Sequence, residues 1–486
     1  MSDSLQQKTF SGVVWGFISN FSMQLFSFVQ GIIMARILIP SDYGLIAMVG
    51  VFSAVAALLV DSGFASALIR KKNKADIDYS TVFDINVVMS FIITLILCGV
   101  SGLIADFYNQ PILSKIVCLN ALQIFFGSFI SVQGVKMSAD LRFREKNIAQ
   151  IVVRVSTGLV GIVMALTGFG IWSLIYPGFL AIPINMAFYW HYQHWFPGIR
   201  FSEKSFKELF GFGSKLLASG LLDTIYNNIY PIIIGKLFSA KDLGYYTRAT
   251  GYSNLPSTTV TGILASVAFP VLCDIQGDNE RLQGAYRKLL RLSAFVVFPI
   301  MIGLAALARP LILVMITAKW EPSVVYLQIL CFALMWYPIH ALNLNLLQVK
   351  GRSDLFLRLE IIKKIIGVSI IFIASSFGVL AMCVGSVISS LLCLILNTYY
   401  TGKYINLSFW YQMKDLIPSL FYSLSMGGLI WVISLFIPYN GIKLLVCIPL
   451  GIAYYFLIAY FTKSSDLAYM KIIITNNVIN RFKKTR

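Results

Sequence analysis

Apolar runs of about 20 residues or more alternate with short polar breaks along the whole chain, the pattern of helices that cross a hydrocarbon core roughly 30 Å thick. It predicts helices at 11–35, 43–68, 81–106, 111–135, 147–167, 169–190, 211–236, 250–273, 290–317, 322–347, 356–377, 378–400, 415–437 and 441–462. The expected fold class is therefore all-α integral membrane, with 14 transmembrane helices as the expected count and 12 as the alternative. Gly161, Gly168, Pro177, Pro183 and Pro256 fall within or beside these runs. Bundles tolerate such residues because neighbouring helices satisfy the backbone groups they free. The first run follows a tail with the single cation Lys8 and ends at Ala35-Arg36 without a small-x-small cleavage site, so a retained helix is expected rather than a signal peptide.

Composition narrows the class further. Of 486 residues, 58% are hydrophobic and 12% charged, with mean hydropathy +0.77. Soluble domains carry about a quarter charged residues, so a cytosolic or secreted enzyme domain is excluded. The net charge of +18 comes from 39 Lys+Arg against 21 Asp+Glu. With the N-terminus inside, 30 of the 39 fall in alternate loops on the inner side, including Arg70, Lys71, Lys72, Lys74, Lys136, Arg142, Arg144, Lys146 and the 463–486 tail, and 8 fall outside. This bias explains the charge by topology, places both termini in the cytoplasm, and removes the reason to invoke nucleic acid. The clusters are also drawn to anionic membrane lipids. The seven cysteines show no C-x-x-C spacing and suit buried apolar positions, so neither a disulfide framework nor a metal site is expected.

A repeat appears at an offset of 200 residues. The stretch IIMARILIPSDYGL from Ile32 lies over IIIGKLFSAKDLGY from Ile232, with Asp42/Asp242 and Gly44/Gly244 identical and Arg36/Lys236 matched in charge. Leu122-Gln123-Ile124 lies over Leu327-Gln328-Ile329 in the fourth and tenth expected helices. The predicted organisation is an N-lobe at 1–195 (helices 1–6), a C-lobe at 196–405 (helices 7–12), an extra helix pair at 406–463 and a basic cytoplasmic tail at 464–486. Six is even, so the lobes are expected to be parallel repeats about a pseudo-twofold along the membrane normal, as in transporters with a central cleft.

The run Ala35-Arg36-Ile37-Leu38-Ile39-Pro40-Ser41-Asp42-Tyr43-Gly44-Leu45, with Asp61-Ser62-Gly63-Phe64 and Ala67-Leu68-Ile69-Arg70, resembles the N-terminal signature of bacterial polysaccharide transporters. These are the lipid-linked oligosaccharide flippases of the multidrug/oligosaccharidyl-lipid/polysaccharide (MOP) superfamily, here of the colanic acid exporter or lipopolysaccharide biosynthesis type. The signature covers roughly the first 70 residues. The resemblance implies a two-lobed protein of the bacterial inner membrane that moves undecaprenyl-diphosphate-linked oligosaccharide units outward by alternating access, for O-antigen, capsule or exopolysaccharide. It also implies a polysaccharide polymerase and glycosyltransferases as working partners.

A diphosphate with a glycan is too polar for hydrocarbon, so such a protein needs a hydrogen-bonding and cationic cleft. In the first helix Asn20, Gln24 and Ser27 follow a helical stripe, with Gln30 near the same face. In the seventh, Lys215, Ser219, Asp223 and Asn227 recur every four residues. The stripes suit cleft walls or interhelical hydrogen bonds. Arg154, inside the fifth helix, offers forked donors to phosphate; snorkelling to the interface is the alternative for it and for Lys215. Asp61 and Asp223 are candidates for Na+ or H+ coupling, with no other cofactor expected, or for pairing with Arg154. The Arg36–Gly44 and Lys236–Gly244 segments are expected to be structural corners, with a gating role as the alternative. His191 and His194 lack a nearby third ligand and sit with Trp190 and Trp195 in an expected interfacial belt. His340 suits a packed donor or a proton relay. Neither a Walker sequence nor G-x-S-x-G nor H-E-x-x-H is present. The competing functions are a multidrug cation antiporter of the MATE type and a membrane-embedded glycosyltransferase or polymerase. The first calls for a buried acidic cluster, and the second for a catalytic acidic motif or a large outer loop.

Overall fold

A computed structural model describes residues 22–193, 195–198 and 200–474, and all regular structure among them is helical. Among the described residues, eleven helical stretches are long and apolar enough to cross a membrane, which makes the chain a multi-pass membrane protein. The other three predicted segments also fall on helices: Ser22–Ile37, whose run begins outside the described residues; Glu203–Asn227 with Ile229–Leu237, interrupted at Asn228; and Ser353–Ser375, which carries Arg358, Glu360, Lys363 and Lys364. The chain divides into two compact units, Met1–Gly244 and Tyr245–Arg486.

The first unit contains α1 (Ser22–Ile37), α2 (Pro40–Asp61), α3 (Phe64–Arg70), α4 (Asp76–Tyr108), α5 (Ile112–Ala139), α6 (Phe143–Leu166), α7 (Pro177–Gln193), α8 (Glu203–Asn227), α9 (Ile229–Leu237) and the start of α10 (Ala240–Asp274). Proline suits the first turn of α2 because its missing N–H has no intrahelical acceptor there. The Asp42 carboxylate accepts the N–H of Ile39 at 3.3 Å, and Asp242 accepts that of Ser239 at 3.3 Å, so the repeat builds the same helix start twice. The two starts also meet. A Cβ on Gly44 would lie 1.7 Å from the Ala240 carbonyl oxygen, and one on Gly244 would lie 1.9 Å from that of Pro40. The repeated glycine is thus required by a reciprocal contact between its own two copies.

A second close approach sits where α2 gives way to α3. Ser62 and Gly63 adopt left-handed conformations (φ 46° and 75°), and Asp61 Oδ1 accepts the N–H of Ala65 at 3.3 Å, holding the start of α3 across the break. Here a Cβ on Gly63 would meet the Gly213 oxygen at 2.5 Å, and one on Gly213 would meet that of Ser62 at 2.6 Å, so α8 rests directly on the break. Between α4 and α5, hydrogen bonds from Ser90 to Ser128 (2.9 Å), Thr94 to the Ala121 carbonyl (2.9 Å) and Asn86 to Ser131 (3.2 Å) join the helices where both sides are apolar.

The second unit contains the rest of α10, α11 (Asn279–Ala306), α12 (Ala308–Ile316), α13 (Ser323–Leu334), α14 (Tyr337–Val349), α15 (Ser353–Ser375), α16 (Val379–Ile405), α17 (Phe409–Phe436), α18 (Asn440–Phe461) and α19 (Ser465–Ile474). Its C-terminal helices pack into the unit: Phe295 of α11 shares a buried cluster with Tyr422, Met426, Tyr455 and Ala459, and the Tyr455 hydroxyl donates to the Phe295 carbonyl at 2.8 Å. Arg287 grips Asp415 with two bonds of 2.6 and 2.7 Å, which fixes the start of α17 to α11.

Candidate functional site

The polar faces expected of a cleft lie in the first unit. Ser27 donates its hydroxyl proton to the Met23 carbonyl at 2.6 Å, which leaves its oxygen to accept the Arg154 Nε–H at 2.9 Å. Two residues singled out for separate reasons are therefore one pair, 127 residues apart in the chain. The approach of α1 to α6 depends on glycine: a Cβ on Gly158 would stand 2.5 Å from the Phe26 ring and 3.0 Å from Gln30 Oε1. A Cβ on Gly161 would stand 3.1 Å from the carbonyl of Ser173, in the short turn Gly170–Leu174 that follows α6. Gln30 Oε1 is buried there without a hydrogen-bond partner. The Arg154 side chain is exposed. Its guanidinium carries five donors in a planar fork, of which Nε–H is committed to Ser27, so the seam presents a cation shaped for phosphate oxygens.

On α8 the expected stripe is a physical row. Ser202 caps the helix by accepting the Ser205 N–H at 3.3 Å. One side of α8 lies against α2 through Gly213 and Gly220, the latter 3.1 Å from Leu58 if given a Cβ. Lys215, Ser219, Asp223 and Asn227 share an exposed side, a four-residue spacing of donors and acceptors suited to sugar hydroxyls. Gln24 is exposed on α1, Asn20 lies outside the described residues, and the Asp61 carboxylate is engaged at the start of α3. His191 packs edge-on to Tyr192 at 5.1 Å, and His194 lies outside the described residues. Among the described residues, no group of three His, Cys, Asp or Glu side chains could hold a metal.

Several cations counted only towards topology also hold helices together. Lys71 donates to Asp78 and to Glu208, both at 2.9 Å, joining the α3–α4 corner to α8. Burial alone would lower the Lys71 ammonium, but its bonds to Glu208 and Asp78 outweigh that and hold it above its ordinary range. Lys136 reaches Asp76 at 3.2 Å and sits 4.5 Å over the Tyr79 ring. Trp195, expected in an interfacial belt, is instead 9% exposed, edge-on to Tyr79 at 6.0 Å. The one sequence signal for Lys71 was an acidic residue seven positions on; Glu208, 137 residues away, gave none.

Over residues 33–325, more than half its length, the chain matches the family described as polysaccharide biosynthesis protein, and it belongs to that family. Lipopolysaccharide biosynthesis protein WzxC of Escherichia coli is 24% identical over 90% of this chain and 86% of its own. Succinoglycan biosynthesis transport protein ExoT of Rhizobium meliloti is 23% identical over 66% of this chain and 65% of its own. Among solved structures, the lipid II flippase MurJ in an inward closed conformation matches with TM-score 0.77 at 15% identity, covering 93% of this chain and 99% of that one. A multidrug resistance MATE family transporter of the MOP superfamily, inward-facing, matches with TM-score 0.62 at 15% identity over 79% of this chain and 96% of that one. At that identity these two likenesses speak to the fold.

Proposed function

We propose that this member of the polysaccharide biosynthesis family is a flippase that carries undecaprenyl-diphosphate-linked oligosaccharide units across a bacterial inner membrane for surface polysaccharide assembly. The observation that carries it is the Arg154–Ser27 pair, an exposed guanidinium held at a polar helix seam of a multi-pass membrane protein. The family membership and the biosynthesis and transport names of WzxC and ExoT support the substrate class. Arg154 takes the diphosphate, the Lys215–Asn227 row accepts the glycan, and the prenyl tail stays in lipid. The protein works as a transporter rather than an enzyme, with fourteen spans in two six-helix lobes plus a pair and both termini cytoplasmic.

The test is restoration of surface glycan in a cell lacking this chain, scored beside protein abundance. Wild type restores it, Arg154→Ala lowers it at least tenfold at unchanged abundance, and Arg154→Lys retains an intermediate level because it keeps charge but loses the fork. Full glycan from the alanine variant removes Arg154 from the mechanism. In vesicles holding a labelled prenyl-diphosphate sugar, leaflet transfer supports the flippase; drug efflux or chain growth in its place overturns it.

A further inference from the structure

The polar seam between α4 and α5 continues past the bonds at Asn86 and Ser90. Thr94 donates to the Ala121 carbonyl at 2.9 Å, and the hydroxyls of Ser101 and Ser114 lie 3.0 Å apart. Positions 94, 98 and 101 share one face of α4, and 114, 118 and 121 share one face of α5, at helical spacings of three and four. The helices run antiparallel, and between these two contacts α4 advances seven residues while α5 retreats seven, so the register does not slip. Cys98 and Cys118, which occupy the position between the two contacts on each helix, are therefore opposed. Their thiols interact directly.

The flanking contacts also show how near the backbones come. A threonine hydroxyl that reaches a main-chain oxygen on the facing helix, and a serine that meets a serine, need the close approach that a disulfide needs, with its Cα atoms about 4.4–6.8 Å apart. Both cysteines are half-buried, whereas Cys331, Cys383 and Cys447 are buried. Cys98 lies ten residues before the end of α4 and Cys118 six after the start of α5, about 15 and 9 Å along the helices from the turn that joins them. With both termini cytoplasmic, as proposed above, this turn faces the outer side, where disulfides persist.

Two sulfurs are too few for the tetrahedral set of a resident zinc ion, and among the described residues no third His, Cys, Asp or Glu joins them. Two opposed thiols can instead give up their protons and two electrons and bond to each other. A metal that coordinates a thiol deprotonates it outright, so an oxidising metal ion does not have to wait for free thiolate.

We propose that Cys98 and Cys118 are an oxidisable dithiol, a modification site that copper(II) closes to a disulfide stapling α4 to α5. Each of two copper(II) ions takes one electron and becomes copper(I); the two S–H bonds break, both protons pass to water, and one S–S bond forms. The pair stands independently of the flippase reading, and only its outer placement rests on the proposed topology.

Cleavage at lysine tests it, because it releases 75–115 and 116–136 as separate peptides, the first holding Cys98 and the second Cys118 as their single cysteines. Membranes containing the full-length protein are treated with copper(II)–phenanthroline, blocked with N-ethylmaleimide, denatured without reductant and cleaved. The two peptides are expected to remain joined in most of the protein, the seven free thiols to fall by two, and dithiothreitol to part the peptides. Cys98→Ser and Cys118→Ser are each expected to abolish the joined species. Peptides that separate in the treated wild type, or a joined species in which another cysteine replaces either partner, overturn the pairing. In detergent, closing a loop of 19 intervening residues is expected to raise the thermal midpoint of the oxidised chain by about 5 °C or more over the same chain after dithiothreitol, with no such rise in Cys98→Ser. An unchanged or lower midpoint overturns the staple.

Discussion

Replacing Gly44 by alanine puts a methyl group 1.7 Å from the Ala240 carbonyl oxygen, where ordinary contact begins near 3.4 Å. No side-chain rotation relieves this, because both atoms belong to the backbone framework. The starts of α2 and α10 must separate by roughly 1.5 Å, and overpacking of this kind costs about 1–3 kcal/mol or more when backbone has to move. Gly244→Ala makes the same demand from the other side, 1.9 Å from the Pro40 oxygen. Once one substitution has parted the helices, the second finds the room already made. The double variant is thus expected to cost about 1–2 kcal/mol less than the sum of the singles, the signature of residues coupled through one backbone shift. Gly50 of α2 and Gly251 of α10 have nothing within 4 Å of the place an added methyl would take and serve as controls, with alanine there neutral or stabilising by up to about 1 kcal/mol. Thermal unfolding of the purified chain in detergent reads the effect, at about 2–4 °C per kcal/mol for a unit of this size. A wild-type midpoint for Gly44→Ala, or strict additivity in the double variant, refutes the reciprocal contact.

Further outcomes follow from the ion pairs. Lys71→Ala leaves Asp78, whose side chain is 3% exposed, without its cation and is expected to destabilise by about 3 kcal/mol in detergent melts, whereas Glu208→Gln, at an exposed partner, costs less than about 1 kcal/mol; equal losses would remove the distinction. Arg287→Ala strips the two bonds that hold Asp415 and is expected to open the junction of α11 with α17 to proteolysis near residue 407, while Arg287→Ala combined with Asp415→Leu recovers part of the loss. On α19, burial first and Asp415 second raise the Asp466 carboxyl above 3.8, against the pull of Arg291. The folded state then holds the proton more tightly than the unfolded one, so the associated stability is full below pH 3.8 and is lost as the pH rises through the folded value. Asp466→Asn is therefore expected to raise the melting midpoint at pH 7 and leave it unchanged near pH 3; a lower midpoint at pH 7 would show that the Arg291 pair outweighs burial.

Much of the helical framework was legible because hydrophobic periodicity is a local property: all fourteen apolar runs coincide with helices among the described residues, although eleven stretches meet the length and hydropathy of a span. The residues of the Arg154 seam were legible one at a time, since a cation or a polar stripe in an apolar run is unusual wherever it occurs. Their pairing was not, because Ser27 and Arg154 are brought together by the packing of α1 on α6, which depends on Gly158 being small. The bonds from Lys136 to Asp76, from Arg287 to Asp415 and from Lys71 to Glu208 were not legible, since each partner lies between 60 and 137 residues away.

What the sequence determined by itself was the class of molecule: apolar runs too long for a soluble core, a basic bias between alternate loops, and a repeat 200 residues apart. The runs follow from transfer free energies summed along the chain, and the bias and the repeat from counting and matching residues, none of which needs knowledge of what touches what. The tertiary structure decided which of those residues meet. It set Gly44 and Gly244 on each other's helix starts, joined Arg154 to Ser27, engaged Asp61 as a cap, and placed His340 between Ser390 and Asn397, whose side-chain oxygen has no donor. Each depends on distances of a few ångströms between segments remote in sequence, where sterics and unsatisfied hydrogen bonds act and periodicity carries no information.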